Sequence, residues 1–215
     1  MMVVAPSVLG EERVVLRDVS WQLFERLLDE LGATRAVRLA YDEGTLEIMT
    51  PLMPHERSNR LIDKLVSILV EELELNIMSV GSMTCKREDL QKGAEPDSSF
   101  YIQNEPLMRS KENVDLNQDP PPDLVVEVEY SRSAVDKLRL YAAMGVPEFW
   151  RYNGGELHIY RLEAGQYVLC HTSPTFDPIR TNEIPRFLKR NVEIGEIGVK
   201  REFRAWVKEQ LQQYH

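Results

Sequence analysis

PPPDLVVEVEYSRSAVDKLRLYAAMGVPEFW, residues 120–150, holds a strand, a connector and a helix in succession. Three prolines end the preceding loop, and the apolar run rich in β-branched residues predicts a buried strand. Alternate side chains of a strand share a face. Asp123, Val125, Glu127 and Glu129 therefore lie on one side, and Leu124, Val126, Val128 and Tyr130 on the other. The second face is a sensible core. The first sets three carboxylates around one valine, a poor core and a good cation site. A carboxylate without a partner is costly to bury, so Glu127 either faces solvent at a sheet edge or has a cation or base beside it. Ten positions later Lys137 falls early in a helix that Gly145 and Pro147 end.

A second Pro-Asp pair, Pro96-Asp97, precedes a short strand in GAEPDSSFYI (93–102). If the two strands are neighbours, Asp97 and Glu127 converge. Magnesium is commonly held by one or two carboxylates together with waters and substrate phosphate. Lys137 would then orient or activate a water for attack on phosphorus, with the metal stabilising the developing charge. Plainer roles stand beside these. An aspartate after proline often caps a strand or turn, and a lone helical lysine is usually solvated. Glu56 falls in the first turn of a helix expected from His55 or Glu56 to about Leu75. There it either complements the helix dipole or joins a metal site. His55 reads as a cap or surface residue, because no second histidine stands at metal-binding spacing.

Outward from these segments, Ser20 and Gly32 bracket an amphipathic helix, and Asp42-Glu43-Gly44-Thr45 marks a hairpin between Val37–Tyr41 and Leu46–Met49. Residues 103–119 read as a polar surface loop. Glu148–Tyr152, Leu157–Arg161 and Tyr167–His171 read as antiparallel strands, the first two joined by Asn153-Gly154-Gly155. Helical patterns follow at Ile184–Lys189 and Val199–Gln212. The order predicts mixed α/β architecture in one domain spanning 1–215: an N-terminal helix and hairpin (about 12–50), a core (about 54–172) and a C-terminal helical extension (about 180–215).

Across 215 residues, 43% hydrophobic and 28% charged content is ordinary for a globular chain. No apolar run is long enough to span a bilayer. The first ten residues lack the basic and apolar stretches of a leader. With two widely spaced cysteines, a cytoplasmic setting is expected and a zinc site is not. The net charge of −9 argues against non-specific affinity for DNA while leaving room for a local basic patch.

Together the motifs resemble the Uma-type family of putative restriction endonucleases. The resemblance rests on Pro96-Asp97, PDLVVEV (122–128), Lys137 four residues before Tyr141, and GVPEFW (145–150). It extends through YDEGTLEIMTP (41–51), PHER (54–57), EPDSSFYIQNE (95–105) and FRAWV (203–207). It implies a PD-(D/E)xK nuclease-like fold with an αβββαβ core, to which this chain adds an antiparallel hairpin and a C-terminal helix. It implies Asp97 and Glu127 as magnesium ligands, with manganese as a substitute, and Lys137 as the third catalytic residue. Asp123 and Glu56, which resembles an acidic first-helix residue of some such nucleases, are further candidate ligands. Glu129 stands where the simplest motif has lysine, so the lysine comes from the following helix. The implied activity is hydrolysis of DNA phosphodiesters, by a homodimer on analogy with restriction enzymes. The alternative is a catalytically silent member that binds nucleic acid or protein.

Overall fold

The computed structural model describes residues 3–4, 11–32 and 35–213. In chain order the elements are β1 (Val3–Val4), β2 (Glu11–Leu16), α1 (Trp21–Leu31), β3 (Arg38–Asp42), β4 (Thr45–Pro51), α2 (Met53–Glu72), β5 (Met78–Ser79), β6 (Cys85–Arg87), β7 (Lys92–Ala94), β8 (Ser98–Tyr101), α3 (Glu105–Met108), β9 (Leu124–Val128), α4 (Lys137–Ala143), β10 (Glu148–Tyr152), β11 (Leu157–Glu163), β12 (Gln166–Cys170) and α5 (Ile184–Gln212). α1 starts and stops on the expected residues: the Ser20 hydroxyl accepts from the Leu23 N–H, and Gly32 closes the helix at positive φ. α5 is two helical runs joined at Gly195, whose backbone is not helical.

The strands form two six-stranded sheets. One, ordered β1-β2-β4-β3-β7-β6, is antiparallel throughout and packs α1 through Trp21, Phe24 and Leu28. The other, ordered β12-β11-β10-β9-β8-β5, is mixed: β9 and β10 run parallel across the α4 crossover, and its other neighbours are antiparallel. Followed along the chain, α2, β5, β8, β9, α4 and β10 give the αβββαβ order, and β11–β12 supply the added hairpin. Between β5 and β8 the chain leaves this sheet to place β6 and β7 at the edge of the first one. That excursion joins the sheets covalently.

β9 is buried from end to end, and its two faces meet different cores. Leu124, Val126 and Val128 pack with Trp150 and Ile159 beneath α2 and α5, where Leu65, Leu69, Phe203 and Val207 meet them. Val125 faces the opposite side, with Phe149, Leu140 and Tyr141. Glu127 shares that face. The loop expected over 103–119 contains the single turn α3 and a fully buried Met108, so part of it folds back into the core.

Candidate functional site

Glu127, the last but one residue of β9, is 2% exposed, and its partners come from α4. Asp136 caps that helix, its carboxylate accepting from the Arg139 N–H at 3.1 Å. Lys137 is the first helical residue and Tyr141 lies one turn on, so the two share a face. Both turn back to the strand. Lys137 Nζ donates to Glu127 Oε1 at 2.8 Å, and the Tyr141 hydroxyl donates to the same oxygen at 2.6 Å. Tyr141 follows Lys137 by four positions, the spacing at which one helix face carries both donors to one acceptor.

Asp97 immediately precedes β8. Ser98 pairs with Val126 in antiparallel register, so the next step along the ladder sets Asp97 opposite Glu127. Its Oδ2 accepts from the Val128 N–H at 2.8 Å. The backbone is held as well: Asn59 Nδ2 donates to the Asp97 carbonyl at 3.1 Å, while Asn59 Oδ1 accepts from Ser98 Oγ at 2.9 Å. One turn earlier on α2, His55 is fully buried, contrary to its expected surface or capping role. Its Nε2 lies 3.2 Å from Asp97 Oδ2 and 3.9 Å from Glu11 Oε2. The first distance is an ion-pair contact made off the hydrogen-bond line, and neither ring nitrogen has a hydrogen-bond partner among the described residues. The helix turns His55 inward because it shares a face with Asn59 and Ile62, both buried.

The other two candidate ligands stand apart from this group. Asp123 is a loop clamp: its carboxylate accepts from the N–H groups of Ile102 (2.7 Å) and Asn104 (2.9 Å) and from Asn104 Nδ2 (2.6 Å). Those donors engage both of its oxygens and tie down the segment leading to α3. Glu56 is half-buried on the outer side of α2, 3.6 Å from Arg60 one turn along. It serves the helix end, where its charge meets the dipole.

Glu11, Arg13 and Glu47 were not among the expected site residues. All three are buried. Arg13 pairs with both glutamates, and the glutamates grip the connector between β9 and α4. Glu11 Oε1 accepts from Ser131 N and Oγ, and Glu47 accepts from Ser133 Oγ and the Ala134 N–H. The short connector thus reaches Lys137 by leaning on the first sheet. A signal existed in the sequence. Glu47 interrupts the apolar run TLEIM as Glu127 interrupts LVVEV, and in EERVVL residues 11 and 13 fall on one strand face.

Burial pushes the Glu127 carboxyl up; Lys137 opposes that and the Asp97 charge adds to it. Burial alone would lower Lys137, yet Glu127 first, then Glu129 and Glu47, hold it above the ordinary lysine value. With three carboxylates around one ammonium, Lys137 is charged and Glu127 is its counter-ion. Burial likewise works against a charged His55, and Asp97, Glu11 and Glu127 outweigh it and hold its pKa up. Glu129, on the same face two residues on, is pushed up to about 7, mainly by burial and then by the Glu127 charge. It lines a cleft of 260 Å³ with Arg132, Lys137 and Arg151. That cleft leads to the Lys137 end of the cluster.

Residues 21–193 match a family model described as Uma2, "Putative restriction endonuclease". The chain belongs to the Uma2 family. Among solved structures, a nuclease described as putative and belonging to DUF820, from Anabaena variabilis, superposes with a TM-score of 0.50 at 15% identity. The match covers 68% of this chain and 88% of that one. At such identity the likeness speaks for the fold, which is restriction-endonuclease-like α/β. No functionally curated protein matches the sequence significantly. Glu11 and Arg13 precede the stretch that the Uma2 model matches, although they brace the same connector.

Among the described residues no group of three or more His, Cys, Asp or Glu side chains is arranged to hold a metal ion. A hard divalent cation needs less from this Uma2 chain, since magnesium keeps its waters and takes one or two carboxylates plus phosphate. Asp97 Oδ1 and Glu127 Oε2 accept no hydrogen bond from the described residues, while their sister oxygens are engaged. One free oxygen from each of two facing strands fits that demand.

Proposed function

We propose that the protein is a divalent-cation-dependent endonuclease that hydrolyses DNA phosphodiesters. The reading is carried by the meeting of a strand glutamate and a helix lysine, Glu127 and Lys137, at 2.8 Å beside Asp97. Asp97 and Glu127 would hold magnesium or manganese, which when bound neutralises phosphate charge and lowers the pKa of water. Lys137, charged and fixed by its counter-ion, donates to a non-bridging phosphoryl oxygen and so favours the charge that develops during attack. Tyr141 keeps Glu127 in place. A water oxygen forms the new P–O bond and gives up a proton to solvent, one ester P–O bond breaks, and the leaving oxygen takes up a proton from solvent.

The test is nicking of supercoiled plasmid by purified protein with magnesium or manganese. Wild type should convert the plasmid to open circles. Glu127→Ala and Lys137→Ala should each slow conversion by at least about 100-fold, the size of a lost transition-state contact. Equal rates for wild type and Glu127→Ala would discard this site. DNA binding without any cutting would favour a silent binding module.

A further inference from the structure

We propose that Arg151, with Arg132 beside it, contacts the DNA phosphate next to the one that is cut. This rests on the nuclease reading of Asp97, Glu127 and Lys137, and adds the residue that seats the substrate on that site. Its place in the ladder singles Arg151 out. β9 and β10 run parallel with Glu127 and Arg151 in register, and the antiparallel step from β8 sets Asp97 opposite Glu127. Residues in register on neighbouring strands share a face. One rung across the sheet therefore carries Asp97, Glu127 and Arg151 on the side that α4 covers.

The guanidinium is already held in place. Arg151 is half-buried, donates from Nη2 to the Tyr160 hydroxyl at 2.9 Å, and lies 5.6 Å from the centre of that ring. The rest of its five N–H donors have no acceptor among the described residues. A planar fork fixed at one edge and open at the other suits the paired oxygens of a phosphodiester. Arg151 lines the 260 Å³ cleft together with Arg132 and Lys137. Glu129 and Asp136 are the acids of that lining. Asp136 is spent on the Arg139 N–H and Lys137 on Glu127, which leaves Arg132 and Arg151 against Glu129. Both arginines also line the wider 700 Å³ cleft next to it, where Glu156 lies 3.6 Å from His158. The phosphate thus has an open approach from solvent.

The neighbouring phosphate is the one in reach. One strand spacing, about 4.8 Å, separates Arg151 from Glu127 along the rung. The Tyr160 hydroxyl draws the guanidinium farther, toward β11 and away from β9. Lys137 already stands against Glu127, where the reacting phosphoryl group would bind. A cation one strand beyond it meets the next phosphate of the same backbone. Such a contact is equally strong before and during bond breaking, so it lowers KM without raising kcat.

The experiment is plasmid nicking in magnesium over a range of DNA concentrations, with fluorescence anisotropy of a labelled duplex in EDTA over a range of KCl. R151Q should raise KM about tenfold, the worth of a charged hydrogen bond, and leave kcat within about twofold. In EDTA it should weaken binding about tenfold and reduce the log–log salt slope by roughly 0.9, the share of one phosphate contact. R151K keeps the charge and loses the fork, so it should restore the slope and only part of the affinity. R132Q, which alters an exposed residue of the cleft, should act in the same direction by about threefold. R201Q removes an exposed arginine of α5 that lines neither cleft and should change nothing. Each variant's thermal melt is taken first; if R151Q fails to fold, R132Q and the affinity of R151K decide. Wild-type KM and affinity in R151Q, an equal loss in R201Q, or a fall in kcat at unchanged KM would overturn the contact. Weaker binding by R151Q in a protein that nicks nothing would overturn only the nuclease reading. Nicking by wild type and R151Q with the same KM would overturn only the contact.

Discussion

Lys137 and Glu127 stand or fall together, because each is buried and each is the other's neutraliser. Removing one partner of such a pair leaves an uncompensated charge, at a cost of about 3–5 kcal/mol, while replacing both with apolar or neutral groups is often tolerated. Lys137→Met should therefore lower stability by roughly 3 kcal/mol, and Lys137→Met with Glu127→Gln should recover most of it. Urea unfolding of the two variants measures this, and equal losses would mean the ammonium is not what neutralises Glu127. Glu129 makes a separate prediction. Its carboxyl titrates near 7 in the folded chain and in the ordinary carboxylate range when unfolded. Across that window the folded chain binds the extra proton, so stability falls as pH rises and the contribution is lost above about 7. Glu129→Gln should be more stable than wild type by at most about 3 kcal/mol at about pH 8, and close to it at about pH 5. A gap that does not change with pH would remove the shift.

At the level of elements, the connector between β9 and α4 decides whether the lysine reaches the strand. It is short, and its backbone N–H groups at Ser131 and Ala134 are satisfied by Glu11 and Glu47 of the other sheet. Glu47→Ala would free Ser133 and Ala134 and take one of two carboxylates from buried Arg13. We expect a loss of about 3 kcal/mol and slower nicking. Melting curves and the plasmid assay report the two effects, and full activity in Glu47→Ala would show that α4 positions Lys137 unaided. The β10–β11 turn carries a second constraint. A Cβ on Gly154 would meet Tyr130 Cε1 at 2.7 Å, and the residue sits at φ +90°. Gly154→Ala should cost about 1–3 kcal/mol and displace the Tyr130 ring, which is tied to Ser58 through its hydroxyl. A melting temperature below that of wild type is the expected outcome, and an unchanged one would show that the ring gives way freely.

Over the whole molecule, local pattern and tertiary arrangement contributed different things. Period-two alternation in LVVEVEY was enough to separate the two faces of β9, since a strand has only two sides and one of them was wholly apolar. Capping chemistry placed the ends of α1 because Ser20 and Gly32 act within a few residues of themselves. The pairing of a strand glutamate with a helix lysine was also visible: the helix follows the strand directly, and the i, i+4 tyrosine shares the face. Sequence did not reveal that Asp123 is spent on Ile102 and Asn104, or that Glu56 points outward, because proline-flanked and helix-start acids look the same whatever they touch. His55 was misplaced for a related reason. Its burial depends on which side of α2 meets β8, and that is set by packing. The bracing group of Glu11, Arg13 and Glu47 lies further still from local pattern, with partners 34 to 120 residues apart. Hydrogen bonds and short-range sterics write the elements into adjacent residues, so the chain alone determined most of its strands and helices and its family. Convergence of charges from two sheets depends on contacts that no neighbouring residues encode, so only the tertiary structure decided which acids face one another and which merely hold the chain.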